Sequence, residues 1–239
     1  MGQFVRNEQC WAQDVDISCA SPWHVGQGRH ADCAPTNTTV TAISKRHVLY
    51  ASHFSYAMST NLVYYFHGHD GVLATNRLVA LSSIGADIGI GLLKNELPDS
   101  IVPAKFLPDD FADYIIGNGK HLPSLILDQN EKAFVAELGS FPGYDNRYQR
   151  HYNLSSRNAV RSAFAKNYIG GDSSSPRFLV IGNNVVVLGT LWHGGVGGSC
   201  LVHLFKQEIQ SRMNQLCPGY LLTEIDFSGY DKLHSFGGN

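Results

Sequence analysis

The sequence has 239 residues, with 18 Lys or Arg against 20 Asp or Glu, so its formal net charge is −2 at pH 7. This balance, with basic residues scattered along the chain, argues against a nucleic-acid-binding function. Hydrophobic residues make up 44% of the chain, which is enough for a sizeable core and excludes wholesale disorder. No apolar run approaches the roughly 18 residues that a membrane-spanning helix needs, and the first residues lack the pattern of a signal peptide.

Short runs rich in β-branched and aromatic residues predict strands along most of the chain. In chain order, the predicted strands are Val40–Ile43, His47–Ala51, Leu62–Phe66, Arg77–Leu81, Ile88–Leu93, Leu122–Leu127, Ala133–Leu138, Phe178–Ile181, Val185–Leu191 and Leu221–Phe227. Turn residues separate them, and His69-Asp70-Gly71 and Gly182-Asn183-Asn184 are typical of hairpins because Asn, Asp and Gly tolerate positive φ.

One amphipathic helix is predicted near the end of the chain. Apolar residues recur at helical spacing over Leu201–Leu216, and Cys217-Pro218-Gly219 provides a stop signal. Many strands followed by one late helix indicate an all-β barrel or sandwich rather than an alternating βαβ fold.

The cysteines and histidines leave several interpretations open. The five cysteines are Cys10, Cys19, Cys33, Cys200 and Cys217, an odd number without a CxxC motif. The pairs Cys10 with Cys19 and Cys200 with Cys217 are each interpretable as a disulfide in an oxidising compartment or as buried thiols. His67-Gly68-His69-Asp70, like His24 with His30 and Cys33, has metal-binding residue types but no complete ligand set, so we expect no metal or other cofactor.

Three short segments carry residues suited to acyl transfer. His53 follows the predicted strand His47–Ala51, Asp87 precedes the apolar run Ile88–Leu93, and Ser173 lies in the small-residue turn 170–176. A serine hydroxyl needs an imidazole to accept its proton, and the imidazole needs a carboxylate to hold its tautomer. Backbone amides must also meet the oxyanion, which favours glycine near the nucleophile. These segments therefore predict a base, an orienting acid and a nucleophile, which follow one another along the chain as His53, Asp87 and Ser173.

The motifs around these residues resemble those of chymotrypsin/trypsin-like serine peptidases. Gly171-Asp172-Ser173 followed by Pro176 resembles the GDSGGP nucleophile turn, and Ala51-Ser52-His53 resembles the TAAH segment. The run that begins at Asp87 resembles the DIALL-type strand, and the segment from Trp192 to Gly195 resembles the SWG-type segment beside the substrate cleft.

The resemblance implies a fold of two packed six-stranded antiparallel β-barrels with a C-terminal α-helix. Residues 1–110 would form the first barrel, with His53 and Asp87, and residues 111–239 the second, with Ser173 and the specificity pocket. It also implies a serine endopeptidase that acts on a peptide or protein substrate through an acyl-enzyme.

The site roles follow from the same resemblance. Ser173 would be the nucleophile, His53 the general base and then acid, and Asp87 the residue that orients His53. The amides of Gly171 and Ser173 would form the oxyanion hole. The residues expected to bind substrate are Asn167, at the base of the primary pocket, and Trp192, His193 and Gly194, whose backbone would pair with the substrate.

Three features depart from the family pattern. Ser174 stands where the family usually has glycine, and Phe54 replaces the cysteine that commonly follows the catalytic histidine. No IVGG-like activation segment is visible, so Asp172 needs a partner other than a freed amine. A catalytically silent homologue that binds peptides or a partner protein in the same cleft is therefore the alternative. A serine hydrolase of another fold is disfavoured, because G-x-S-x-G and the order Ser, Asp, His are absent.

Overall fold

The computed structural model describes residues 14–21, 39–57, 63–68, 70–115, 121–128, 133–139, 141, 147–148, 153–154, 158–165, 171–193, 197–198 and 200–233, with the backbone alone for 56–57, 153–154, 192–193 and 197–198. These residues form a mostly β protein with two antiparallel sheets and a short C-terminal helix. The prediction of an all-β protein with a late helix is confirmed at this level.

The first sheet contains five strands in the spatial order β1-β2-β5-β4-β3. Its strands are β1 (Thr41–Ala42), β2 (His47–Ala51), β3 (Val63–His67), β4 (Leu73–Ser83) and β5 (Ile88–Leu93). Every residue of β2 and β5 is buried, which explains their continuous apolar runs. Gly89 of β5 lies opposite Tyr50 of β2, whose ring occupies the space that a Cβ at Gly89 would need.

The second sheet contains six strands in the order β11-β10-β9-β6-β7-β8. Its strands are β6 (Pro123–Leu127), β7 (Ala133–Leu138), β8 (Asn153–Leu154), β9 (Pro176–Ile181), β10 (Asn184–His193) and β11 (Gly197–Gly198). Gly182, with a φ of 56°, forms the turn between β9 and β10, as the hairpin prediction required.

One hydrophobic core joins the two sheets. It contains Val48 and Ile90 from the first sheet, Phe178 and Val186 from the second, and Ile209 from the C-terminal helix. Strands β2 and β10 contact each other across this core. The end of β2 is therefore held close to the second sheet.

Two short helices are described besides the 3₁₀ turns. Helix α1 spans Ala159–Ser162, and α2 spans Lys206–Leu216 directly after a 3₁₀ turn at Val202–Phe205. The predicted helix at 201–216 thus begins as a 3₁₀ turn, and the chain leaves it through Gly219, which has a φ of 96°. Within the described part of the chain, no helix is both long and apolar enough to cross a bilayer.

The predicted strand at Leu221–Phe227 is wrong. Among the described residues, the only β-bridge of this segment joins Glu224 to Phe106, and Leu221 is 75% exposed. The amide of Leu222 donates to the Gln210 side chain of α2 at 2.9 Å, so a helix takes a donor that a strand would use for its neighbour. The apolar residues here cover α2 and the core instead of extending a sheet.

The disulfide interpretation is also wrong for the cysteines that the structure describes. Cys19, Cys200 and Cys217 are thiols. Helix α2, which is 11 residues and about 16 Å long, lies between Cys200 and Cys217 in the chain. Burial raises the pKa of the Cys19 thiol, which leaves it in the inert neutral form. Cys10 and Cys33 lie outside the described residues.

The histidine clusters considered as metal ligands are covered only in part. Among the described residues, no group of three or more His, Cys, Asp or Glu is placed to hold a metal ion. His24, His30, Cys33 and His69 lie outside those residues. His67 ends β3 next to the hairpin in which Gly68 donates to the carbonyl of Val72, and burial lowers the pKa of its imidazole to about 4.

Candidate active site

The pairing of β2 with β5 brings His53 and Asp87 together. These strands are antiparallel, and Ala51 at the end of β2 lies opposite Ile88 at the start of β5. The residues that follow Ala51 therefore meet the residue that precedes Ile88. The first contact beyond the strands is a backbone hydrogen bond at 3.1 Å from Ser52 N to the Asp87 carbonyl.

Asp87 contacts His53 through both carboxylate oxygens. The His53 amide donates to Oδ1 at 2.8 Å, and Nδ1 of its ring lies 2.8 Å from Oδ2. An ionised carboxylate can only accept, so Nδ1 carries the proton and Nε2 is the basic nitrogen of the neutral ring. The His53 side chain is 34% exposed and that of Asp87 is 10% exposed, so the imidazole is open to solvent while the carboxylate is covered.

Two neighbours complete the surroundings of this pair. The hydroxyl of Ser52 donates to Asp87 Oδ1 at 3.1 Å, and Phe54 places its ring edge-to-face with the His53 imidazole, with 4.9 Å between centroids. Phe54 is buried and stands at the position where the resembled family has a cysteine. A packed aromatic ring here confines the imidazole from the side.

Asp87 lies in a turn of unusual backbone geometry. Gly85, Ala86 and Asp87 have φ values of 83°, 54° and 61°, and Ile88 N donates to the Gly85 carbonyl at 2.9 Å. Glycine adopts this conformation freely and aspartate tolerates it, whereas alanine is strained there by roughly 1–2 kcal/mol. The strain at Ala86 is therefore maintained next to the carboxylate that orients His53.

Ser173 lies in a tight turn just before β9. Gly171 has a φ of 100°, Asp172 is 1% exposed, and Ser175 N donates to the Asp172 carbonyl at 3.1 Å. Within the part of the chain that the structure describes, the Ser173 hydroxyl makes no hydrogen bond, and the amides of Gly171 and Ser173 donate to no acceptor. The structure thus pairs His53 with Asp87 but does not show a hydrogen bond between Ser173 and His53.

Ser174 links this turn to the end of β2. It is 0% exposed, its hydroxyl accepts from Ala51 N at 3.0 Å, and it donates to the Thr39 carbonyl at 2.8 Å. Its amide donates to the carbonyl of Leu191 in β10 at 2.9 Å. Ala51 is two residues before His53, so Ser173 lies next to a residue bonded to the strand that carries the imidazole.

The residues expected to bind substrate are only partly described. The backbone of Trp192 and His193 ends β10, where His193 pairs with Gly197 of β11. On the opposite edge, β9 pairs with β10 only as far as Thr190, and no described strand continues beside residues 192–193. Asn167 and Gly194 lie outside the described residues.

Two concave regions among the described residues lie elsewhere on the surface. One, of about 760 Å³, runs beside α2 and is lined mainly by polar side chains such as Lys206 and Gln210. The other, of about 300 Å³, is lined mainly by apolar side chains, including Tyr114 and Phe227. Neither is lined by the His53–Asp87 pair or by Ser173.

Comparison with known proteins does not assign this chain to a family. No family model matches the chain, and no curated protein is similar enough to it to count as a match. Its function must therefore be argued from the residues of the site.

Proposed function

We propose that this protein is a serine endopeptidase that uses Ser173 as nucleophile, His53 as general base and Asp87 as the orienting acid. The observation that carries the proposal is the His53–Asp87 pair, in which both carboxylate oxygens contact one residue at 2.8 Å. This arrangement selects the tautomer whose Nε2 can accept a proton from a serine.

The proposed reaction begins with attack of Ser173 Oγ on the scissile carbonyl. Nε2 of His53 takes the hydroxyl proton, Asp87 stabilises the imidazolium, and the proton then passes to the leaving amine. Water hydrolyses the resulting acyl-enzyme, again with His53 as base. Because the amides of Gly171 and Ser173 donate to no described acceptor, they are suited to the oxyanion, where one lost donor costs about 10²–10³-fold in rate.

Substrate binding is proposed at the last residues of β10. The edge of Trp192 and His193 that faces away from β11 has no described strand beside it, which suits addition of an extended peptide as a further strand. The partner is thus a peptide or protein segment. Asn167 and Gly194 keep their sequence-based assignments to the primary pocket and to this edge.

The finer architecture belongs to the same proposal. A chymotrypsin-like arrangement of two six-stranded barrels, divided near residue 110, accommodates a five-stranded sheet within residues 41–93 and a six-stranded sheet within residues 123–198. The candidate site lies where the end of β2 meets the turn before β9, which is the kind of junction at which that fold builds its cleft.

The test is hydrolysis of peptide and ester substrates by wild type and by Ser173→Ala, together with labelling by a fluorophosphonate. We expect the wild type to hydrolyse the substrates and to be labelled on Ser173, and the variant to lose both properties. Ser175→Ala, which removes a neighbouring buried hydroxyl, is the matched control and should retain labelling. Hydrolysis that persists in Ser173→Ala would rule out the assigned nucleophile.

The alternative is a silent homologue that binds peptides in the same cleft. The observation in its favour is that no hydrogen bond joins Ser173 to His53 among the described residues. A wild-type protein that binds an extended peptide but never reacts with the phosphonate would establish this alternative. Nucleophile and base are often further apart without substrate, so the missing bond does not exclude catalysis.

A further inference from the structure

We infer that Ser174 is a positioning residue, whose buried hydroxyl sets the distance between the turn of Ser173 and the strand of His53; this inference rests on the proposed peptidase function. The hydroxyl accepts from Ala51 N, at the end of β2, at 3.0 Å and donates to Thr39 O, two residues before β1, at 2.8 Å. Both bonds span more than 120 residues of sequence and join the turn before β9 to the end of β2 and to the segment that leads into β1.

The choice of serine at this position is otherwise difficult to explain. Ser174 has a φ of 74°, a conformation that glycine adopts without cost and that a side chain disfavours. Glycine would relieve that strain, but it would leave the Ala51 amide and one acceptor of Thr39 without this partner. The chain thus keeps a strained residue whose side chain contributes two buried hydrogen bonds to the contact between the sheets.

The hydrogen bonds of the Ser174 hydroxyl lie close to both His53 and Ser173, so a small displacement of either segment would affect the proposed reaction. Ala51 ends β2 and is followed by Ser52 and His53, so a shift of the Ala51 amide moves the base. On the other side, Ser174 directly follows the nucleophile, and its own amide is bonded to Leu191 of β10. Loss of the hydroxyl would let the two segments move apart, and a displacement of about 1 Å costs as much as 10²-fold in rate.

The matched control is Ser175. Its hydroxyl lies in the same turn, is equally buried and accepts from Thr39 Oγ1 at 3.3 Å, but no hydrogen bond joins it to Ala51 in the described structure. A general loosening of the turn would therefore lower activity in Ser175→Ala and Ser174→Gly alike. If Ser174 has a positioning role, only Ser174→Gly loses activity.

The experiment measures kcat and KM with a peptide substrate, and amide hydrogen exchange at Ala51, in wild type, Ser174→Gly, Ser174→Cys and Ser175→Ala. We expect Ser174→Gly to lower kcat by about 10–10²-fold with KM unchanged and to lose protection at Ala51. Ser174→Cys, which keeps a weaker hydrogen-bonding group and similar volume, should fall between wild type and Ser174→Gly. Ser175→Ala should match the wild type in both readouts.

Three outcomes would overturn the inference. Full kcat in Ser174→Gly would refute the positioning role while leaving the peptidase function intact. Equal losses in Ser174→Gly and Ser175→Ala would assign the effect to the turn in general. A wild type without hydrolysis or phosphonate labelling would refute the peptidase function and this inference together, whatever the exchange at Ala51 shows. If Ser174→Gly does not fold, the comparison of Ser174→Cys with Ser175→Ala decides in the same way.

Discussion

Asp87 binds the backbone amide of His53 with one carboxylate oxygen and its ring nitrogen Nδ1 with the other, both at 2.8 Å. Because the amide is fixed by the start of the 3₁₀ turn after β2, the carboxylate cannot rotate without losing one of the contacts. The imidazole is thereby held in one orientation and one tautomer. In the proposed reaction, the same carboxylate stabilises the imidazolium that forms when His53 takes the proton of Ser173.

The first prediction concerns the charge of Asp87. Asp87→Asn keeps the shape of the side chain and tolerates the φ of 61°, but its amide group opposes the tautomer that has the proton on Nδ1. We expect kcat to fall by about 10⁴-fold with the thermal unfolding midpoint nearly unchanged.

Asp70→Asn is the control for Asp87→Asn. Asp70 is exposed and accepts from Val72 N at 2.9 Å in the hairpin between β3 and β4, so its substitution tests a similar local change outside the site. Its kcat should equal that of the wild type. If Asp87→Asn retained more than a tenth of wild-type kcat, Asp87 would not be the orienting acid.

The second prediction concerns Ser52, whose hydroxyl donates to the same Oδ1 that the His53 amide contacts. Ser52→Ala removes one of these two donors, and a hydrogen bond of this kind contributes about 1 kcal/mol. We expect kcat/KM to fall about fivefold, which is that energy expressed as a rate. Ser52 begins the 3₁₀ helix Ser52–Ala57, and Ser55→Ala, at an exposed position of this helix, should leave kcat/KM unchanged. If kcat/KM were the same in Ser52→Ala and Ser55→Ala, the Ser52 hydroxyl would not contribute to the site.

The third prediction concerns the strained turn before β5. Ala86→Gly relieves a φ of 54° that alanine disfavours, and after the greater chain entropy of glycine is subtracted, the gain is about 0.5–1 kcal/mol in the free energy of unfolding. Ala74→Gly, inside β4, should instead destabilise the protein by a similar amount. Denaturant unfolding measures both variants, and a destabilised Ala86→Gly would show that the turn is not under strain.

Local sequence patterns predicted the elements that build the site. The bounds of β2, β5 and β7 agree with the predicted runs, because continuous apolar stretches between turn residues describe strands buried on both faces. The association of His53 with Asp87 came from motif order and not from spacing. The structure adds its cause, which is the register of Ala51 with Ile88.

Long-range partners were not predictable in the same way. Ser174 was recognised only as a departure from glycine, because its bonds to Thr39 and Ala51 cross 135 and 123 residues and its positive φ is not encoded by the residue type. The segment Leu221–Phe227 was wrongly predicted as a strand because its long-range partner is also not visible in the local sequence. Its composition suits a strand, but the hydrogen bond from Leu222 to the Gln210 side chain depends on where α2 packs.

The last prediction concerns acid stability and His203. This side chain is 1% exposed, packs edge-to-face with Phe111 at 4.7 Å, and has no hydrogen-bond partner for either ring nitrogen within the described structure. Burial, and to a smaller extent the charge of Lys206, lower the pKa of His203 to about 3, whereas the charge of Asp109 raises it. In the unfolded chain the pKa is about 6.5.

The sign of the pH effect follows from these two values. Below pH 6.5 His203 binds a proton in the unfolded chain, whereas in the folded protein it does so only below about pH 3. Through His203, the free energy of unfolding therefore falls by up to about 1.4 kcal/mol for each pH unit of acidification. His203→Leu removes this titration while filling a similar apolar volume. Between pH 7 and pH 5, we expect the variant to lose about 2 kcal/mol less free energy of unfolding than the wild type, measured by urea denaturation. His47, also buried and with a pKa lowered to about 4, keeps some pH dependence in both proteins, so parallel pH profiles would contradict the assignment to His203.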